Sequence, residues 1–300
     1  MPFDADSLGI PRASTRLLRD LVHERLGLYF DDDRLDQLAD RLAPVVVQRG
    51  FGSLLDYYYL LKYDPEADAE WPRVMDALAV NETYFWREID QIRAVVDTVL
   101  PPLVDRAGGR PLQIWSAPCA SGEEPLTIAM VLDEAGWFAR APIRIVGSDA
   151  SPAAIEKARR GRYRSRSFRN LPDRLRERYF QKAGEDWRVS DAIHGRITWD
   201  IVNLQNPADV ARWGGSPIVF CRNVFIYFSD TSIRRTVDLL ADAMPAGGHL
   251  CLGAAESLLR ITSRFDLQEV GGAFMYVHRG SAERAATAAV PDDGTVRWNA

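Results

Sequence analysis

The stretch 112–125, with the sequence LQIWSAPCASGEEP, constrains the fold of this chain more than any other segment. Its apolar run at 112–115 predicts a buried strand, and the small residues at 116–122 end that strand. Two glutamates and a proline at 123–125 are typical of the first turn of a helix, which we expect over 126–135. A strand, a tight loop and a helix in this order indicate the ligand-binding edge of an open α/β sheet.

The next strand, expected at 143–148, ends in Asp149, where a carboxylate can accept hydrogen bonds from both hydroxyls of a ribose. The loop before the helix lacks G-x-G-x-x-G, and Glu123 and Glu124 stand where a pyrophosphate needs free backbone N–H groups. A ligand that carries adenosine and a positive charge suits these residues better, and S-adenosylmethionine has both. An ordinary βαβ unit with a capped helix explains the loop equally well.

Composition argues against several classes of protein. The 300 residues carry a formal net charge of −5 and the pI is about 5.5, which argues against a general nucleic-acid binder. The three cysteines lie far apart without a C-x-x-C pair, so we expect neither a disulfide nor a bound metal. The first residues lack the layout of a signal peptide, and no apolar run approaches the ~18 residues of a membrane span. We therefore expect a cytoplasmic protein that does not insert into membranes.

Residues 1–79 are expected to form a helical domain, because apolar residues recur there at helical spacing. The helices are expected at 14–26, 34–49, 53–61 and 71–78. Arg34, Arg41 and Arg49 fall roughly on one face of the second helix, where they could meet an acidic partner helix. A solvated face, partly paired with aspartates of the same helix, is the more common arrangement.

A polar and aromatic segment, NETYFWRE at 81–88, belongs to a linker expected at 80–100. Asn81 and Thr83 supply short hydrogen-bonding groups, and Arg87 supplies a rigid fork of donors that matches a carboxylate. Such a segment between two domains can fold over a ligand. Its aromatic residues are expected to pack in the interdomain core as well.

Residues 101–280 are expected to form the α/β domain. A strand expected at 218–220 is followed by Arg222, Asn223 and Tyr227. Because the carboxyl ends of parallel strands face one crevice, these three side chains are candidates for the reacting end of the site. Two later strands are expected to close the sheet as a hairpin, which is typical of methyltransferase folds.

Three further segments carry predictions. Short strands at 187–189 and 197–199 predict a small antiparallel β-subdomain at about 185–199. The arginine-rich stretch 159–178 suits a nucleic acid or an acidic protein, and the negative charge of the whole chain favours the protein. Residues 281–300 have the composition of a disordered tail.

Six separated motifs together resemble the CheR family, the chemotaxis receptor glutamate O-methyltransferases. The motifs are NETYFWRE, IWSAPCASGEEP, GSDAS with AIEKARRGRY, the NL of IVNL, FCRNVFIYF and the GG with LGAAES near the end. They agree in order and spacing over about 14–279. The resemblance implies an α/β fold: a Rossmann-like methyltransferase domain that binds S-adenosylmethionine, with a small β-subdomain, preceded by an all-helical domain that contacts the receptor.

The function implied by this resemblance is chemosensory adaptation. A cytoplasmic monomer would methylate glutamates of methyl-accepting chemotaxis receptors and leave S-adenosylhomocysteine. A glutamate side chain is already an anionic nucleophile at neutral pH, so no strong base is required. The short insert has no Gly-x-Gly, which argues against capture of a receptor C-terminal pentapeptide. A methyltransferase for small molecules or nucleic acids is one alternative, and a sensor that binds the cofactor without catalysis is another.

The resemblance also implies the residues of the site. Cofactor contacts are expected from Asn81, Thr83, Arg87, Glu124, Asp149, Asn203, Leu204, Arg222 and Asn223. Glu123 is the alternative to its neighbour as the acidic residue near the methionine moiety. Asp149 would bind the ribose, and the pair at 203–204 would flank the adenine. Arg87 and Tyr227 are expected to hold the substrate.

Overall fold

The computed structural model describes residues 12–280, so the predicted tail at 281–300 lies outside the described part. The first part of the chain is a helical bundle. Its helices are α1 (Arg12–Leu26), α2 (Leu35–Gln48, preceded by a 3₁₀ turn at Asp32–Arg34), α3 (Leu54–Tyr63) and α4 (Ala67–Leu78). Apolar residues at helical spacing, such as Leu18 and Val74, are fully buried between these helices. Ser53 caps α3, because its hydroxyl accepts a hydrogen bond of 3.1 Å from a backbone N–H of the first turn.

The linker continues into a longer helical run than the sequence predicts. The helix α5 (Ile89–Ala94), one π-helical segment (Val95–Val99) and α6 (Leu100–Ala107) follow one another without a break. Pro101 and Pro102 lie where the π-helical segment passes into α6, and Gly108, with a φ of 57°, ends the helix. The helix expected to end at residue 100 therefore continues to Ala107.

Between residues 112 and 280, ten strands form two sheets. They are β1 (Leu112–Ser116), β2 (Ile143–Asp149), β3 (Arg162–Tyr163), β4 (Phe180–Ala183), β5 (Asp186–Val189), β6 (Ile197–Ile201), β7 (Ile218–Phe220), β8 (His249–Cys251), β9 (Phe265–Val270) and β10 (Ala273–His278). The main sheet has the order β6-β2-β1-β7-β8-β10-β9. Within it β10 is antiparallel to both neighbours, and the other adjacent pairs are parallel. This Rossmann-like sheet, closed by the expected hairpin, confirms the predicted fold class.

Helices cover both faces of the main sheet, and further short helices lie in the connections between strands. They are α7 (Glu123–Glu134), α8 (Trp137–Arg140), α9 (Pro152–Arg160), α10 (Asp173–Tyr179), α11 (Asp191–His194), α12 (Pro207–Trp213) and α13 (Asp230–Ala243), with 3₁₀ turns at Ser165–Phe168 and Phe225–Tyr227. Successive residues of a strand enter opposite layers: Ile114 packs in the core beside α7, and Trp115 packs in the core beside α13. Between Arg12 and Gly280, no helix combines the length and apolar character that crossing a membrane requires.

The small β-subdomain differs from the predicted one. Ile197–Ile201 lies in the main sheet and pairs in parallel with β2, so the expectation that 197–199 belongs to the insert is wrong. The small sheet is formed instead by β3, β4 and β5. Packing between distant segments explains why 197–201 lies in the main sheet. The Trp199 ring packs so closely on Gly147 of β2 that a Cβ atom there would come within 2.7 Å of it. Glycine at this position therefore leaves room for the indole against the main sheet.

Candidate active site

A cavity opens at the carboxyl ends of the parallel strands, between the sheet and the helical bundle. Its larger compartment has a volume of about 250 Å³ and is mainly apolar, and a polar compartment of about 70 Å³ adjoins it. Four residues line both compartments, namely Val80, Pro118, Asp149 and Asn223. The loops that follow the parallel strands therefore converge on one site, as expected for an open α/β sheet.

Every residue predicted for the site lines one of these two compartments. The larger compartment is lined by Asn81, Asp149, Asn203, Leu204, Asn223 and Tyr227. The polar compartment is lined by Thr83, Arg87, Glu124, Asp149, Arg222 and Asn223. The fold thus brings together segments that are far apart in the sequence, while the role of each residue stays a prediction.

Asp149 stands between the two compartments at the end of β2, and only 6% of its surface is exposed. Its carboxylate accepts hydrogen bonds of 2.9 Å from the backbone N–H groups of Ala120 and Ser151. Burial raises the pKa of Asp149 above its ordinary value, and the backbone N–H groups oppose that shift. Each oxygen of a carboxylate can accept more than one hydrogen bond, so Asp149 can still bind hydroxyls of a ligand.

The structure distinguishes the two neighbouring glutamates of the loop. Glu123 is buried and accepts hydrogen bonds from the hydroxyls of Ser121 (2.8 Å) and Ser167 (2.9 Å), and burial raises its pKa. Glu124 faces the polar compartment, where it accepts hydrogen bonds from the Ser116 hydroxyl and from an arginine. Geometry therefore favours Glu124 over Glu123 as the acidic residue of the site.

That arginine is Arg222, and its hydrogen bonds connect the linker to the sheet. Its side chain is only 1% exposed, and its Nε donates a hydrogen bond of 2.6 Å to the Glu124 carboxylate. It also donates to the backbone carbonyls of Arg87 (2.9 Å) and Glu88 (3.2 Å). The sequence predicts Arg222 at the site but gives no sign of this link, which holds the backbone beside Arg87.

Unusual backbone conformations concentrate at the cavity. Among the described residues, four of the five non-glycine positions with positive φ either line the cavity or flank Arg87: Trp86, Glu88, Ala120 and Asn223. Each costs about 1–3 kcal/mol and persists only where surrounding contacts fix it. The conformation of the site therefore depends on contacts that hold these backbone positions.

Glu256 supplies such contacts for Asn223. Its carboxylate accepts hydrogen bonds from the backbone N–H groups of Asn223 (2.7 Å), Phe225 (2.7 Å) and Gly253 (2.8 Å). Burial raises the pKa of Glu256, and the same N–H groups oppose the shift. Glu256 is not among the predicted site residues, although it lies in the LGAAES motif.

Arg87 and Tyr227, the two residues expected to hold the substrate, line different compartments. Arg87 lines the polar compartment, where its Nη1 donates a hydrogen bond of 3.0 Å to the Glu82 carbonyl. Tyr227 lines the larger compartment, and its carbonyl accepts a hydrogen bond of 2.9 Å from the backbone N–H of Tyr29. Asn223 lies at the junction between them.

The helical bundle forms one wall of the larger compartment, which the sequence did not predict in detail. Its lining residues there include Tyr29, Phe30, Arg34, Gln37, Arg41 and Met75. The arginine face of α2 was the one available signal. Arg41 donates a hydrogen bond of 2.9 Å to the Leu78 carbonyl, and Arg49 pairs with Glu70 at 3.1 Å. Both partners belong to α4, so these two arginines contact α4 rather than aspartates of their own helix.

A largely parallel sheet with a ligand cavity at the carboxyl ends of its strands, and an acidic residue at the end of the second strand, defines a Rossmann-like nucleotide-binding domain. Residues 81–272 match the model of the CheR methyltransferase SAM-binding domain, and residues 13–79 match the model of the CheR methyltransferase all-alpha domain. This chain belongs to the CheR methyltransferase family, which confirms the resemblance found in the sequence.

Individual relatives resemble the chain over most of its length. Chemotaxis protein methyltransferase 2 of Vibrio cholerae is 33% identical, and the match covers 88% of this chain and 93% of the relative. Chemotaxis protein methyltransferase 1 of Pseudomonas aeruginosa is 31% identical over 88% of this chain and 97% of the relative. The probable biofilm formation methyltransferase WspC of Pseudomonas putida is 32% identical over 90% of this chain, which spans 62% of that protein.

Proposed function

We propose that this protein transfers the methyl group of S-adenosylmethionine to glutamate side chains on the cytoplasmic helices of chemoreceptors. The products are glutamate 5-O-methyl esters and S-adenosylhomocysteine, and the protein acts in the cytoplasm in chemosensory adaptation. The observation that carries this proposal is the two-part cavity, in which a mainly apolar compartment adjoins a polar one that contains Arg87. The names of the relatives support a role with methyl-accepting chemotaxis receptors.

The residues of the cavity fit S-adenosylmethionine. The mainly apolar compartment, with Asn203 and Leu204 on its wall, suits the adenine. Asp149 at the junction suits the ribose hydroxyls, and Glu124 gives the polar compartment an acidic group that suits a sulfonium and an α-ammonium. Further hydrogen-bonding groups would come from Asn81, Thr83 and Asn223. When bound, S-adenosylmethionine supplies a methyl group that is already activated on a positively charged sulfur.

Arg87 would orient the substrate carboxylate, and Tyr227 would position it through its hydroxyl. The Arg87 guanidinium is already partly engaged, because it donates to the Glu82 carbonyl and its Nε lies 3.7 Å from the Glu88 carboxylate. An arginine shared in this way aligns a second carboxylate without quenching it as a nucleophile. The glutamate carboxylate is already ionised at neutral pH, so the reaction needs no general base. Proximity and alignment can lower the barrier by about 7–11 kcal/mol.

The helical bundle would receive the receptor at the mouth of the larger compartment. Arg34 and Arg41 line this mouth, and two cations suit a helix that carries several glutamates. Tyr29 and Val80 line the same compartment and expose apolar surface. Such a combination of charge and apolar contact suits an amphipathic receptor helix.

Transfer of labelled methyl groups from S-adenosylmethionine to a panel of chemoreceptor cytoplasmic fragments tests the function. We expect label on receptor glutamates that alkaline treatment releases as methanol, because carboxyl methyl esters are hydrolysed by base. The panel should include receptors of motility and of biofilm pathways, since relatives with both kinds of name resemble this chain. The matched control is the same fragment with its methylated glutamates changed to alanine. Label that survives base, or no transfer despite measurable cofactor binding, contradicts the proposal.

Cofactor binding is expected to weaken as the pH falls, and at a higher pH than if Asp149 were an exposed aspartate. Burial raises the pKa of Asp149 above its ordinary value. As the pH falls through this raised pKa, the carboxylate protonates and loses its capacity to accept bonds from both ribose hydroxyls. Calorimetric titration with S-adenosylmethionine across the acidic range measures this effect. Asp149→Asn should bind more weakly and without that acid dependence, and an unchanged acid profile in the variant would exclude Asp149 as its source.

A further inference from the structure

Arg169 lies outside both compartments of the cavity, yet it contacts two residues of the linker beside Arg87. Its Nη2 donates a hydrogen bond of 2.7 Å to the Glu82 carboxylate. The central carbon of its guanidinium lies 3.7 Å from the centroid of the Tyr84 ring, a close cation–π contact. Arg169 follows the 3₁₀ turn Ser165–Phe168, between β3 and β4 of the small sheet. The segment 162–189, which contains the three strands of this sheet, is called the insert, so these contacts join the insert to the linker.

Arg87 depends on the same two linker residues. Its Nη1 donates to the Glu82 carbonyl at 3.0 Å, and its guanidinium carbon lies 5.6 Å from the centroid of the Tyr84 ring. The contact with the Glu88 carboxylate is longer, at 3.7 Å. The residues that hold the Arg87 guanidinium are therefore held in turn by the side chain of Arg169.

The backbone between these residues is fixed to the same part of the insert. The Phe85 side chain is fully buried, with its ring centroid 5.2 Å from that of Phe168 and 5.0 Å from that of Phe180. Its N–H donates a hydrogen bond of 2.8 Å to the Ser167 carbonyl. The main chain of the linker is thus anchored at Phe85 without Arg169, whereas Glu82 and Tyr84 on the N-terminal side of this anchor are held by Arg169.

We propose that Arg169 is a positioning residue for the reaction: it holds Glu82 and Tyr84, and through them it fixes the guanidinium of Arg87 at the polar compartment. The inference rests on the proposed function, because the step that it serves is alignment of the substrate carboxylate. Exposed ion pairs add little to stability, so we expect loss of the Arg169 side chain to lower turnover and to leave the stability of the fold nearly unchanged. A displacement of a positioning group by about 1 Å can cost about a hundredfold in rate.

Turnover of Arg169→Ala is the first test. We expect kcat to fall by about ten- to a hundredfold, with the KM for S-adenosylmethionine changed by less than about twofold. The matched control is Arg174→Ala, which removes another exposed arginine of the insert that pairs with Glu134 instead. This control should keep the kcat of the wild type. Arg169→Lys should recover part of the loss, because lysine keeps the charge beside Glu82 but not the planar contact with Tyr84.

Two further measurements separate positioning from general damage. In an Arg87→Ala background, Arg169→Ala should cause no additional loss of kcat, because its effect passes through Arg87. Hydrogen–deuterium exchange at 82–88, measured without receptor, should be faster in Arg169→Ala and unchanged in Arg174→Ala. If the wild type methylates no receptor, the proposed function fails, while the exchange measurement still decides the role of Arg169. Wild-type exchange in Arg169→Ala, an equal loss of kcat in Arg174→Ala, or additive losses in the double variant would each overturn the inference.

Discussion

Arg87→Ala is expected to lower the kcat of methyl transfer by about 10²- to 10³-fold, the effect of removing a preorganised donor from a reacting group. Without the guanidinium, the substrate carboxylate loses the group that aligns it at the polar compartment. The fold should survive, because the Arg87 side chain is 25% exposed and its carbonyl partner, on Glu82, belongs to an exposed residue. Steady-state kinetics at saturating S-adenosylmethionine, together with the melting temperature of the variant, check both parts.

Two further variants test whether the loss of turnover is specific to the Arg87 side chain. Arg93→Ala removes a nearby arginine whose guanidinium packs over the Trp86 ring and lines neither compartment, so it should keep wild-type turnover. Arg87→Lys keeps the charge but not the two-pronged geometry, and it should lose most of the activity. Near-normal turnover in Arg87→Ala would remove this residue from the mechanism.

Arg222→Met is expected to lower the free energy of unfolding by about 3–5 kcal/mol, the cost of breaking a buried ion pair on one side. The Arg222 side chain is 1% exposed and that of Glu124 is 12% exposed, so the carboxylate cannot turn freely to water. The variant also leaves the carbonyls of Arg87 and Glu88 without their donor. Urea denaturation followed by circular dichroism measures the change.

The double variant Arg222→Met with Glu124→Gln is the control for this prediction. Glutamine removes the unpaired charge, so the double variant should recover part of the lost stability. A single variant that is destabilised by less than about 1 kcal/mol, the range of surface ion pairs, would show that the buried contacts of Arg222 do not stabilise the fold.

Much of the site was predictable because it depends on local signals. A short apolar run, a loop of small residues and a helix start together place a cavity at a sheet edge, and Asp149 follows the next strand. The order of the motifs added the linker residues Asn81, Thr83 and Arg87, and all three line the cavity. Such signals lie within single segments and need no knowledge of the neighbours.

Other features could not be predicted, because they depend on which distant residues meet. Glu123 and Glu124 are chemically identical neighbours, and only the partners Ser167 and Arg222 turn one away from the cavity and the other into it. Trp199 has the same β propensity in the insert or in the main sheet, and packing against Gly147 decides between them.

The sequence by itself determined the class of fold, the family and many of the residues that line the cavity, because apolar periodicity, strand ends and motif order are properties of the linear chain. Only the tertiary structure decided how those residues are held. Arg222 pairs with Glu124, Glu256 accepts a hydrogen bond from the backbone of Asn223, and Arg169 contacts the linker residues that hold Arg87. The physical reason is that burial and pairing set the free energy of a charged group, and both arise only when segments far apart in sequence pack together.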